Sequence, residues 1–137
     1  MILRRLNAEE QGALRVGLDL AAELAASPLP LSRAQVQALY DDALEGATDD
    51  DERLIAIGLA FGDLISREDG FEWARISDQY GDETCVAVIG SMTHCAPISM
   101  IQKRIRRNEA VDIGEMADST MNLLREQARL AAPRGSA

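Results

Sequence analysis

Sixteen residues, Gly58 to Trp73 (GLAFGDLISREDGFEW), constrain the fold more than any other stretch of the chain. They read as the end of an apolar helix, a glycine stop, and entry into a strand carrying the single tryptophan. The helix, expected over Asp51 to Arg67, holds Leu54, Ile55, Ile57, Leu59, Phe61, Leu64 and Ile65 on more than one side, which predicts a central position. Gly58 and Gly62 lie four apart, hence on one face. Each costs about 1 kcal/mol of helix propensity relative to alanine, so a strand or second helix is expected to approach closely there. Asp63, beside Gly62, is the carboxylate of this helix expected to be partly buried. Gly70 is expected to end the helix in the left-handed conformation.

The preceding residues read as helices that cover this unit. Asn7 and Glu10 form a capping box, as do Ser32 and Gln35; in each, side chains three residues apart satisfy free backbone N–H groups. The first helix carries Leu14, Leu18, Ala21, Ala22 and Ala25 at helical spacing, widened by Leu20 and Leu24, and stops before Ser27-Pro28-Leu29-Pro30. The second carries Val36, Leu39, Tyr40, Ala43 and Leu44 and ends at Gly46. The acidic run Asp49-Asp50-Asp51-Glu52 reads as an N-cap at Asp49 with favourable first-turn charges rather than a metal loop.

After the glycine stop, Phe71 to Ile76 alternates and predicts a strand. Ser77 to Asp82 is a turn cluster, Thr84 to Ile89 a continuous apolar strand, and Gly90-Ser91 a second turn. Met92 to Ala96 is a short third strand ended by Pro97. A helix or turn is expected over Ser99 to Asn108. A last helix, capped by Asp112 with Glu115 in the box position, has a predicted stripe of Ile113, Met116, Ala117, Thr120, Leu123, Leu124 and Gln127. The predicted fold is α+β, with a helical N-terminal half, a three-stranded antiparallel meander and a C-terminal helix packed on the sheet. It forms one domain over 1–137: a helical pair (1–48), an α+β core (49–131) and a frayed tail (132–137).

Function is constrained mainly by exclusion. Net charge of −9 with five aromatic residues in 137 disfavours nucleic acid and anionic lipid, which need cationic surfaces and stacking platforms. No apolar run approaches the ~20 residues of a membrane helix, and MILRRLNAEEQ lacks the apolar core of a secretory signal. Cys85 and Cys95 are too few for a disulfide framework, which points to a reducing cytoplasm. With a two-residue turn at Gly90-Ser91, Cys85 opposes Ala96 and Cys95 opposes Val86, so the sulfurs fall on opposite faces; a three-residue turn would put them on one face. Cys85, His94 and Cys95 lack zinc-site spacing and a fourth ligand. No metal, cofactor or catalytic residue is assigned, and the balance leans away from an enzyme.

The clearest local anomaly is Lys103, Arg104, Arg106 and Arg107, four cations within five positions of an acidic chain. They read either as a docking surface for an anionic partner or as internal partners of acids such as Asp63, Glu72 and Asp82. LAFGDLI, GFEW, the DQYGDE turn, Pro97-Ile98-Ser99-Met100-Ile101, Lys103-Arg104 and Val111-Asp112-Ile113 occur in order. On these elements the segment from about Ile57 to Ile113 resembles family 3806 of the bacterial domains of unknown function. The resemblance implies a bacterial cytoplasmic α+β domain and carries no activity; it implies that Asp63, Trp73, Tyr80, Gly81, Lys103 and Arg104 share one local arrangement. The preferred expectation is a non-catalytic, adaptor- or immunity-like module that binds another protein or a second copy of itself through Lys103, Arg104, Arg106 and Arg107. The alternative is a small-molecule or enzymatic pocket near Asp63, Trp73, Tyr80 and Arg104.

Overall fold

The computed structural model describes residues 1–131 and 134. Among them, five helices and four strands follow in the order β1 (Ile2–Arg5), α1 (Ala8–Ala25), α2 (Arg33–Glu45), α3 (Asp51–Ser66), β2 (Phe71–Asp78), β3 (Gly81–Val88), β4 (His94–Cys95), α4 (Pro97–Arg106) and α5 (Ile113–Leu130). The fold is α+β. The strands form one antiparallel sheet in the order β1-β2-β3-β4.

Both capping boxes are present. Asn7 Oδ1 accepts from the Glu10 N–H, Ser32 Oγ accepts from the Gln35 N–H, and each box glutamate or glutamine side chain returns to its cap's N–H. Ahead of α3 the cap is Asp50 rather than Asp49: its Oδ1 accepts from the N–H groups of Glu52 and Arg53. The helix closes at Arg67, three residues before Gly70, so Gly70 serves the turn into β2 with φ of +91° instead of ending the helix.

Three differences concern the sheet. The strand expected over Met92 to Ala96 is cut to His94–Cys95, because the chain between Ser91 and Thr93 belongs to the turn. Ile2–Arg5 adds a strand to the expected meander, pairing Leu3 with Ile76 and Arg5 with Ala74. Its single inward apolar residue, Leu3, is too little alternation to announce a strand by itself. The expected turn Ser77–Asp82 is tighter, because pairing continues to Asp78 opposite Gly81 and leaves Gln79 and Tyr80 at the tip. At the second hairpin the register is the one a two-residue Gly90-Ser91 turn requires: Val86 faces Cys95 and Ala87 faces His94.

Alternation along the strands separates two apolar clusters. Phe71, Val86, Trp73, Val88 and Cys95 face the main core, which draws on all five helices and is centred on α3. Leu54, Ala56, Ile57 and Phe61 in α3 have no solvent exposure. Leu3, Ala74, Ile76, Cys85 and Ala87 form a second cluster on the opposite face, with Met92 packed against it. The C-terminal helix contributes Ile113, Ala117, Met121 and Leu124; its buried stripe is rotated from the predicted one, leaving Leu123 58% exposed. The tail expected over 132–137 lies outside the described residues apart from Arg134, which is docked on the sheet through its backbone and guanidinium.

Candidate functional site

The close approach expected at the α3 glycines is made by the start of α4 and by Trp73. A Cβ at Gly58 would stand 2.6 Å from Ile98 Cα and 3.2 Å from Pro97 O. At Gly62 it would stand 2.5 Å from Trp73 Cη2 and 2.7 Å from Pro97 Cγ. Pro97 occupies the first turn of α4, where a missing N–H costs nothing. The AFGDLI, GFEW and Pro97 motifs therefore meet at a single packed contact. The other shared motifs also have folding roles: Asp78 Oδ1 accepts from Tyr80 N–H at 2.8 Å in the hairpin turn, and Asp112 caps α5. The Gln37 side chain spans the same linker, donating to Val111 O at 2.9 Å and accepting from Ile113 N–H at 2.7 Å.

With α4 fixed against α3 by Gly58, its apolar residues Ile101 and Ile105 are buried. Residues 99, 102, 103 and 106 recur at i, i+3, i+4 and i+7, which turns them to one outer face. There Ser99, Gln102, Lys103, Arg106 and Arg107 line an open recess of about 390 Å³. Arg106 pairs with Asp51 at 3.3 Å, both side chains well exposed. The C-terminal turn of α4 also holds these cations at the negative end of the helix dipole.

Arg104 departs from the group. It is half-buried, donates to Met100 O at 3.2 Å, and lines a different recess with Val111, Asp112, Glu115 and Ser119. None of the expected acids pairs with the basic cluster. Asp63 stands 3.4 Å from Arg67 one turn later, and burial pushes its carboxyl above the usual range against the pull of that arginine. Glu72 pairs with Arg5 and Arg134.

The four residues of the alternative pocket are dispersed. Trp73 touches Gly62, next to Asp63, but the recess it lines is formed with Arg5, Leu6, Gln11, Leu14 and Glu72 and holds about 280 Å³. Tyr80 is 87% exposed at the hairpin tip. Cys85 and Cys95 are free thiols on opposite sheet faces, and burial pushes them up to about 12 and about 11. Such thiols stay protonated and unreactive at neutral pH. Among the described residues no three His, Cys, Asp or Glu side chains gather to hold a metal ion. No helix among them is long and apolar enough to cross a membrane.

Sequence reasoning selected Lys103, Arg106 and Arg107 by composition, and the structure places them on one face. It missed Ser99 and Gln102, whose signal is the helical spacing to Lys103 and Arg106.

These features describe a small α+β domain whose central glycine-bearing helix carries a short basic helix on its flank. The family model for a domain of unknown function (DUF3806) matches residues 34–116, well over half of the chain, and the chain belongs to that family. The match includes α2 and the start of α3, beyond the segment that carries the legible motifs. No curated protein and no solved structure matches the chain.

Proposed function

We propose that this chain is a non-catalytic, protein-binding module of the bacterial cytoplasm, adaptor- or immunity-like, that docks an acidic protein surface on the outer face of α4. The observation that carries the reading is the recess lined by Ser99, Gln102, Lys103, Arg106 and Arg107 on a chain of net charge −9. Lys103, Arg106 and Arg107 are exposed on a helix whose opposite face is locked into the core, so the cations are presented on a rigid element. Complementary charge on a partner speeds encounter and sets orientation, while the Ser99 hydroxyl at the edge of the recess is taken up by Glu83 Oε1 at 2.6 Å. Two free cysteines and no disulfide agree with a reducing compartment.

The geometry favours this reading over a small-molecule pocket, since Trp73 and Arg104 line separate recesses and Asp63 is engaged by Arg67. The test is affinity capture from a bacterial lysate with the native chain beside a Lys103→Glu, Arg106→Glu, Arg107→Glu variant of native circular dichroism. The expected result is a protein held by the native chain, released by salt and lost from the variant. An identical set of captured proteins from both would refute the assignment of this surface.

A further inference from the structure

The sheet face turned away from the main core holds a second feature, centred on Glu72. Its carboxylate is 15% exposed and two guanidinium groups reach it. Arg5 Nε stands 3.4 Å from Oε2, and Arg134 Nη1 donates to Oε1. The rest of Arg134 is engaged as fully. Its Nε donates to Ser91 O at 2.8 Å, its Nη2 to Val88 O at 3.3 Å, and its backbone N–H to Gly90 O at 2.7 Å. The Arg134 side chain is itself only 15% exposed, although it lies four positions beyond the end of α5.

The groups aimed at this guanidinium are all acceptors, one carboxylate and two carbonyls arranged around a fork. A guanidinium offers five donors and no acceptor in a fixed plane, whereas an ammonium is a point charge that cannot span such a set. The acceptors are also held in place without Arg134. Glu72 sits within β2, between β1 and β3, with Arg5 beside it. The carbonyls belong to a turn braced by Ser91 N–H donating to Val88 O at 3.1 Å and by Ser91 Oγ accepting from Thr93 N–H at 3.1 Å. Gly90 supplies the left-handed residue of that turn, with φ of +79°.

We propose that Glu72 and the carbonyls of Val88 and Ser91 form an arginine-recognition slot, with the Gly90 carbonyl beside it receiving the backbone N–H, filled in cis by Arg134 and open to an arginine side chain of another polypeptide when Arg134 withdraws. The slot is preorganised, so a second arginine meets a formed site and Arg134 acts as its competitor. This site shares no residue with the α4 face, and either can fail without the other.

The test uses Arg134→Ala in the otherwise intact chain, titrated with N-acetyl-arginine amide and N-acetyl-lysine amide while the backbone amide signals of Ala87 to Ser91 are followed by NMR. The expected result is saturable binding of the arginine compound, about tenfold or more tighter than the lysine compound and than the same compound on the unmodified chain. Adding Glu72→Gln is expected to abolish it. Absence of saturable binding, equal binding of the two compounds, equal affinity for the unmodified chain, or persistence without the Glu72 carboxylate would each overturn the proposal. If Arg134→Ala does not fold, the unmodified chain carries the test. A high concentration of the arginine compound must then shift the Gly90 and Ser91 signals where the lysine compound does not, and failure to do so overturns the slot.

Discussion

Gly58→Ala isolates the contact on which the position of the α4 surface depends. The new methyl carbon would stand 2.6 Å from Ile98 Cα and 3.2 Å from Ile98 N, both backbone atoms that no rotamer change can move. Carbon pairs settle at about 3.5–4.0 Å, so the start of α4 must retreat by roughly 1 Å. That retreat loosens Pro97, Ile101 and Ile105 against the core. Overpacking costs about 1–3 kcal/mol, and the backbone contact places this site in the upper part of that range. Replacing glycine by alanine within a helix returns about 1 kcal/mol, leaving a net loss of about 1–2 kcal/mol. For 137 residues, a loss of 2 kcal/mol corresponds to a Tm lower by about 7 °C. Two internal comparisons sharpen the test. Gly12 in α1 has nothing within 4 Å of its added carbon, so Gly12→Ala is expected to gain about 1 kcal/mol, or about 3 °C. Gly17 meets only the end of the Leu59 side chain, which can rotate, so Gly17→Ala falls between the two. Thermal and urea unfolding followed by circular dichroism measure all three. A Gly58→Ala variant as stable as the parent would refute the reasoning, because the approach of α4 to α3 would then have room for a side chain.

The remaining predictions concern charge and polar burial. Hydrogen bonds from Arg4 and the Asn7 N–H hold the Glu10 carboxyl down at about 2, with Arg75 adding attraction at 3.5 Å. A depressed folded value stabilises above the unfolded one, about 4.3. The stability difference between the parent and Glu10→Gln should therefore be full at neutral pH and vanish as pH falls from about 4.5 to 2; a difference independent of pH would refute the linkage. The thiols run the opposite way: with Cys85 raised to about 12 and Cys95 to about 11, stability should decline as pH rises from the ordinary thiol range toward those values. Native protein at pH 8 should resist alkylation that is complete in urea, and rapid labelling without denaturant would contradict the burial. Tyr40, fully buried, donates from its hydroxyl to Glu109 O at 2.6 Å; Tyr40→Phe should cost about 1 kcal/mol in urea unfolding, and an unchanged midpoint would show that the bond contributes nothing net.

What could be read from the sequence follows the range of each interaction. Both capping boxes close over three residues, so Asn7 with Glu10 and Ser32 with Gln35 identify the starts of α1 and α2 without reference to any other part of the chain. At the second hairpin the sequence left two registers open, and the structure chooses the one that places Cys85 and Cys95 on opposite faces, through a turn closed by Ser91 N–H on Val88 O and by Val88 N–H on Thr93 O. Gly58 and Gly62 announced a close approach because glycine inside a helix is costly unless space demands it; that α4 and Trp73 make the approach emerges only in three dimensions. Other features rest on contacts distant in sequence. β1 exists because Leu3 finds Ile76 across the fold, and one inward residue in four is no local pattern. The choice of Met121 over Leu123 on α5 depends on where α2, α3 and the sheet stand, since both positions satisfy helical periodicity. The basic cluster shows the same division. Composition singled out Lys103, Arg104, Arg106 and Arg107, but only the packing of α4 turns Arg104 to the recess with Val111, Asp112 and Glu115 and leaves the other three on an outer face. The meeting of Arg134 with Glu72, 62 residues apart, has no trace in local sequence, because it depends on where the chain leaves α5 relative to the sheet.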